Sequence, residues 1–361
     1  MGNALKDMII RRIEATGPIT LADYMNECLI HPKHGYYTQK KVFGRKGDFI
    51  TAPEISNMFG EIMALWLIDR YYALGSPSSF NLVEFGPGRG VLMQDILHTA
   101  KIVPEFISAA SVHFVEASEQ LQAEQKKRVP NATWHKDQTT LPESGASLFI
   151  ANEFFDALPI HQFIKEKGIW LERRIIAQGN ALKFAITQGS AMTNLIPERV
   201  QAADNGSIAE VCPRALTFTG DIATHINTHG GAAIFIDYGH TRSAAGDTFQ
   251  AVKAHEYTDP LTDPGMADLT AHVDFEQIAI AAGEKNTQSY GAIEQGQFLM
   301  NMGIGNRAMQ LANTKGDEDK AKILLDLKRL TAPQEMGKLF KVMCIQSTTL
   351  PDPAGFMGAD T

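Results

Sequence analysis

The sequence predicts an α/β fold: a Rossmann-like, largely parallel sheet covered by helices, with a helical N-terminal segment and an inserted antiparallel β region. Three observations predict it. From residue 80 the chain alternates apolar strand-like runs with helical stretches, the pattern of a parallel sheet packed between helices. The first run, Leu82-Val83-Glu84-Phe85, passes directly into Gly86-Pro87-Gly88-Arg89-Gly90 and then a helical stretch from Val91 to Leu97, so a strand feeds a tight turn and a helix leaves it. Between the fourth and fifth runs, residues 158–230 change to strand-like stretches joined by short turns, which reads as antiparallel hairpins bearing on substrate and not as a separate domain.

The elements follow in order. Residues 3–16 carry Leu5, Met8, Ile9 and Ile13 at helical spacing and stop at Gly17-Pro18. Thr20, with Asp23 three residues on, predicts the N-cap of a helix through about Leu29. Residues 31–37 and 44–56 read as loops, the second running into an amphipathic helix over about 54–74 with Met58, Ile62, Leu65 and Ile68 on one face. Residues 1–78 are therefore expected to be a helical lead-in with a covering loop, and 79–361 the core domain. Core strands are expected at 81–85, 111–116, 132–135, 147–152 and 231–237, with helices at 118–128 and 273–283 and a last apolar stretch at 338–345. In the insertion the runs 160–165, 169–175 and 182–187 turn at Lys167-Gly168 and Gly179-Asn180. Residues 240–272 are loop-rich and read as a cap able to close over a site.

Bulk properties exclude several classes. At 361 residues, 44% hydrophobic and 20% charged, the chain has the composition of an ordinary globular protein. No apolar stretch approaches the length of a membrane span. A net charge of -8 argues against broad phosphate-backbone binding, so nucleic acid is not an expected partner. Cys28, Cys212 and Cys344 are isolated and form neither a disulfide framework nor a C-x-x-C site. The N-terminus has no apolar signal core, and it carries Asp7 and Glu14, acids that mitochondrial presequences avoid. The expected location is the cytoplasm, in a bacterial protein.

The spacing of the glycines sorts the ligand that the turn would meet. A dinucleotide fingerprint needs a third glycine at position 91, which is Val91, and no P-loop lysine pattern is present. What stands there is E-x-G-x-G-x-G, with Glu84, Gly86, Gly88 and Gly90, which resembles motif I of S-adenosylmethionine-dependent methyltransferases. Glu116, closing the second strand, stands where a nucleotide-binding sheet places an acid for the ribose hydroxyls. Asp137, after the third strand, is a candidate for the adenine amino group. Asn152-Glu153-Phe154-Phe155-Asp156 closes the fourth strand. Glu153 and Asp156 flank two aromatic rings there, an arrangement suited to a guanidinium; acids decorating a helix N-terminus are the alternative explanation. His225 and His229 lack the glutamate of a zinc-protease helix, His31 and His34 have no partner ligand in sequence, and no metal is expected.

Further motifs extend the likeness. Gly47-Asp48-Phe49-Ile50-Thr51-Ala52-Pro53-Glu54-Ile55-Ser56, followed by Phe59-Gly60-Glu61, is similar to the hallmark of the MidA family of S-adenosylmethionine-dependent methyltransferase-like proteins. The resemblance recurs at 84–90, 152–159, Asp237-Tyr238-Gly239-His240, 267–275 and 297–303, nearly the whole chain. It implies a seven-strand class I methyltransferase sheet and S-adenosylmethionine as cofactor. Glu84, Gly86, Gly88, Gly90 and Glu116 would sit on that cofactor; Asp137 and Asn152 are further candidates to bind it. Asp48, Thr51, Pro53 and Glu54 would form a loop folding back over it. The mitochondrial family member symmetrically dimethylates an arginine of a quinone-module subunit of respiratory complex I, so the implied reaction is methyl transfer to a protein arginine. Glu153 and Asp156 are the expected catalytic residues, with Asp237 and Asp268 as second choices.

Three functions compete at this stage: the arginine methyltransferase, a non-catalytic assembly factor for complex I that keeps the cofactor pocket, and a dinucleotide-dependent oxidoreductase, which Val91 disfavours. The expected partner is a protein substrate, probed first with a complex I quinone-module subunit. A homodimer stays open, and membrane insertion is not expected.

Overall fold

The computed structural model describes residues 3–38 and 51–356. The expected loop residues 47–50, Asp48 among them, lie outside the described residues. Two compact units interleave along the chain. One comprises Met1–Phe49, Phe155–Thr217 and Arg242–Gln277; the other comprises Ile50–Phe154, Phe218–Thr241 and Ile278–Thr361. This division differs from boundaries at 78/79, because the lead-in helices bury their apolar faces in different cores. Helix Asn57–Ala73 packs Met58, Phe59, Ile62, Trp66 and Leu67 into the core that contains Leu82, Leu148 and Ile234. Helices Ala4–Thr16 and Leu21–Ile30 place Leu5, Ile9, Tyr24 and Met25 in the core that contains Ile160, Ile175 and Leu269.

The second helix begins as the sequence indicates. Thr20 accepts the Asp23 amide at 3.0 Å and Asp23 reaches back to the Thr20 amide at 3.3 Å, a reciprocal cap that satisfies two orphan donors. In the same unit, strands His161–Glu166, Ile169–Gln178, Ala181–Thr187 and Ile208–Val211 pair antiparallel. The two-residue turn Lys167-Gly168 has φ of 51° and 79°, and the turn Gly179-Asn180 opens with φ of 57°. Such positive angles match the twist of hairpin strands. The insertion also contains a 17-residue helix, Pro213–His229, that the hairpin reading does not anticipate. The loop-rich segment 240–272 holds a small sheet of Glu256–Thr258, Gln250–Lys253 and Asp268–Thr270.

The other unit is built on seven strands, labelled in chain order: β1 Phe80–Phe85, β2 Ala110–Val115, β3 Thr133–His135, β4 Ser147–Asn152, β5 Gly231–His240, β6 Thr287–Glu294 and β7 Phe340–Ser347. Their spatial order is β3-β2-β1-β4-β5-β7-β6. The first five run parallel, and β7 runs antiparallel to both its neighbours. The predicted Rossmann-like, seven-strand class is therefore the observed one. Ala232 to Ile236 of β5 are fully buried, as expected of a strand covered on both faces. β6 reads Thr-Gln-Ser-Tyr-Gly-Ala-Ile-Glu; its polar composition suits an edge strand and hides it from a search for apolar runs.

The topology chooses the place for a ligand. From β1 the chain proceeds outward through β2 and β3, then returns to β4 on the opposite side of β1. The connections leaving β1 and β4 diverge, opening a crevice at their carboxyl ends. In register, Phe85 lies opposite Val115 and Ala151, and Asn152 lies opposite Ile236, so the turns after these strands emerge at one edge of the sheet.

Candidate active site

The turn after β1 depends on backbone that side chains resist. Gly86, Gly88 and Gly90 have φ of 58°, 50° and 76°, all left-handed. A Cβ on Gly86 would approach the Phe154 ring at 3.1 Å, so the exposed turn is also bounded by the segment after β4. Gly90 is buried, caps helix Val91–Thr99, and would carry a Cβ 3.3 Å from Gln125 Cγ. Its lack of a side chain therefore serves helix packing, whereas Gly86 is the exposed glycine of the turn.

Glu84 is 3% exposed beneath this turn, near the backbone amide of Met93 in the following helix. Among the described residues its Oε2 has no hydrogen-bond partner. Burial pushes its carboxyl up to about 8, partly offset by the Met93 amide. Glu116 follows β2; its amide donates to His135 O at 2.8 Å. Its Oε1 accepts the Ser118 amide at 2.8 Å and its Oε2 accepts Gln125 Nε2 at 3.2 Å. Burial raises this carboxyl to about 7 against those donors. Asp137, after β3, caps Gln138–Thr140, accepting the Thr139 amide at 2.9 Å and the Thr139 hydroxyl.

At the end of β4, Asn152 Nδ2 donates to Glu153 Oε1 at 3.1 Å, while Asn152 Oδ1 is buried without a partner among the described residues. Glu153 has φ of 53°, a conformation that costs a non-glycine residue about 1–2 kcal/mol. Two contacts from β5 hold it: the Glu153 amide donates to Ile236 O at 2.9 Å, and the Phe154 amide donates to Asp237 Oδ2 at 3.0 Å. Asp237, fully buried, also accepts the Tyr238 amide at 2.9 Å through Oδ1. It acts on the backbone of the turn, a task that its place in Asp237-Tyr238-Gly239-His240 does not disclose.

Thr51 precedes a short helix, Ala52–Ile55, with the buried Pro53 in its first turn. The expected loop is thus helical from Ala52, and Ser56 breaks it from the longer helix by taking extended backbone. The Ala52 amide donates to Glu153 Oε1 at 3.2 Å, and Glu54 pairs with Arg89 of the glycine turn at 3.4 Å. This segment is tied to both turns at the edge of the sheet. Asp156 falls in the other compact unit from Glu153, the boundary lying between Phe154 and Phe155. It is buried, as is Asp268; Tyr37 donates its hydroxyl to Asp268 Oδ1 at 2.8 Å. Burial, then the charges of Asp268 and Asp156, push that phenol well above its ordinary value.

Sequence reading missed Gln125, fully buried in a helix that, Leu121 and Ala123 apart, is written in Glu, Gln, Lys and Arg. A polar helix gives no hint that one of its amides faces inward. The described donor set suits an adenosyl sulfonium ligand. It offers a close-approach glycine turn, an orphaned buried carboxyl oxygen at Glu84, and a strand-end carboxylate at Glu116 with lone pairs left for a diol.

The architecture is that of a class I methyltransferase, and comparison with known proteins agrees. Residues 62–293 match the family described as "Putative S-adenosyl-L-methionine-dependent methyltransferase", and the chain belongs to this family. It is 36% identical to the Xenopus laevis protein named "Protein arginine methyltransferase NDUFAF7, mitochondrial", over 98% of this chain and 89% of that one. The human protein of the same name is 35% identical over 93% of this chain and 82% of its own. A crystal structure of a Burkholderia thailandensis protein bound to S-adenosyl-homocysteine superposes with a TM-score of 0.84 at 26% identity, covering 99% of this chain and 95% of that one.

These relatives correct the expected location. The curated proteins are mitochondrial and eukaryotic, which overturns the expectation of a cytoplasmic bacterial protein. The physical reason is that Asp7 and Glu14 belong to a folded helix, Ala4–Thr16, whose Leu5, Ile9, Ile10 and Ile13 are core residues. Their acidity reflects the solvent face of that helix and carries no address. Among the described residues no helix is long and apolar enough to cross a membrane.

Proposed function

We propose that this protein methylates arginine side chains of a protein substrate, using S-adenosylmethionine, and that the substrate is a quinone-module subunit of complex I. The observation that carries the reading is 36% identity, over 98% of the chain, to a protein arginine methyltransferase. S-adenosylmethionine supplies an electrophilic methyl group. Glu84 and the turn at Gly86 and Gly88 bind its polar end, and Glu116 accepts from its ribose hydroxyls, with Asp137 and Asn152 alongside and Thr51 and Pro53 covering it.

Glu153 orients a guanidinium nitrogen by accepting its N–H, so that the nitrogen lone pair meets the methyl carbon in line. The same carboxylate would receive the proton that nitrogen sheds as the new N–C bond forms and the methyl–sulfur bond breaks, leaving S-adenosyl-homocysteine. Asp156 is the alternative carboxylate for the planar guanidinium. This division of labour makes positioning, and not strong base chemistry, the main contribution of the protein.

The test is transfer of labelled methyl from S-adenosylmethionine to a purified quinone-module subunit, with amino-acid analysis of the product. Label recovered as methylarginine supports the reading. S-adenosylmethionine binding without label on arginine overturns the acceptor and leaves a cofactor-binding assembly protein.

A further inference from the structure

A fully buried glutamine is costly unless every polar atom is engaged. Gln125 meets that condition by joining three separate segments of the sheet unit. Its Nε2 donates to Gly88 O at 2.8 Å and to Glu116 Oε2 at 3.2 Å, and its Oε1 accepts Trp134 Nε1 at 2.8 Å. The Trp134 bond fixes which way the amide points. An indole N–H can only donate, so the carbonyl must face Trp134 and the amino group must face the glycine turn and Glu116. The amide thus links the turn after β1, the acid after β2 and the tryptophan of β3. Gly90, whose Cβ would press within 3.3 Å of Gln125 Cγ, leaves room for it.

The consequence lies at Glu116. Its two oxygens each accept one protein donor, from Ser118 and from Gln125, which leaves a lone pair on each for two neighbouring hydroxyls. We propose that Gln125 is a positioning residue for the ribose of the adenosyl ligand: it holds the Glu116 carboxylate at a set distance from the glycine turn and favours its ionised form. This deepens, and rests on, the S-adenosylmethionine reading above.

The experiment uses the full chain and calorimetric titration with S-adenosyl-homocysteine and its 2′-deoxyadenosyl counterpart, from pH 6 to 8.5. Wild type should prefer the ribose ligand, and its affinity should fall as pH drops below the Glu116 value of about 7. Gln125→Leu should weaken the ribose ligand about tenfold or more, on the scale of one or two hydrogen bonds to a charged group. It should also erase the ribose preference and move the pH midpoint upward. If Gln125→Leu fails to fold, Gln125→Glu carries the test. It can still accept from Trp134 but loses both donors and sets a carboxyl beside Glu116, so the pH midpoint should rise further.

In either variant, equal weakening of both ligands with the ribose preference and pH midpoint unchanged would mean that Gln125 merely packs, and would overturn the proposal. Wild-type protein that binds neither ligand would overturn the S-adenosylmethionine reading itself, a result distinct from binding with an unaltered preference.

Discussion

Asp237→Asn separates a role in shaping the site from a role in binding the acceptor. Asp237 is fully buried, and its two oxygens each accept one backbone amide, Phe154 at 3.0 Å and Tyr238 at 2.9 Å. Asparagine keeps one acceptor and turns an amino group toward the other amide. One charge-assisted bond is lost and two donors then face each other, a cost of about 2–3 kcal/mol. A decrease of about 4–8 °C in Tm is expected from that loss.

The catalytic effect should exceed the stability effect. Glu153 sits at φ of 53° between the Ile236 and Asp237 anchors, so loosening one lets residue 153 relax and carries its carboxylate away from the acceptor. A displacement on the order of 1 Å lowers kcat about a hundredfold. S-adenosyl-homocysteine affinity should stay within about threefold, because Glu84, Gly86 and Glu116 hold their own contacts. The assay is steady-state methyl transfer to the acceptor protein, with calorimetry for the cofactor product. An unchanged kcat with a raised KM for the acceptor would refute this reasoning and mark Asp237 as a guanidinium ligand.

Three further outcomes follow from the same geometry. Glu153→Gln should lower methyl transfer by about a hundredfold or more while cofactor binding persists, and full activity in this variant would remove Glu153 from the reaction. Gly86→Ala combines a left-handed backbone with a Cβ 3.1 Å from the Phe154 ring. It should lose about 1–2 kcal/mol of stability and bind S-adenosyl-homocysteine more weakly, so a variant matching wild type in melting and calorimetry would count against the close-approach argument. His113 and His135 form a buried pair 3.0 Å apart, and burial, then the neighbouring His135, lowers His113 to about 4. The unfolded chain takes up this proton near 6.5, so the contribution is complete above that value and is lost as pH falls toward 4. About 2 kcal/mol should disappear by pH 5, and His113→Leu should flatten the dependence of the urea midpoint on pH.

Much of the architecture is legible in local sequence. β4 has the expected bounds because the apolar run Leu-Phe-Ile-Ala, between Ser147 and Asn152, suits a strand covered on both faces. The hairpin turns at Lys167-Gly168 and Gly179-Asn180 are equally local, since Gly168 and Gly179 take positive φ at little cost. β6 and helix Pro213–His229 were not legible, because their polar residues are offset by burial against neighbours that only the folded chain supplies. The lead-in divides between two units for a similar reason: an apolar helix face announces that it will be buried, not against what.

By itself the sequence determined the class of sheet, the glycine turn with Glu84, and the candidate acids at the ends of β2 and β4, since each rests on residue type and short spacing. Tertiary structure decided what those groups touch. It assigned Asp237 to two backbone amides, placed Gly90 against a glutamine, and made Gln125 the link between the glycine turn and Glu116. The Gln125–Gly88 and Asp237–Phe154 bonds join residues far apart in the chain. A hydrogen bond between them exists only once the parallel strands have set their register.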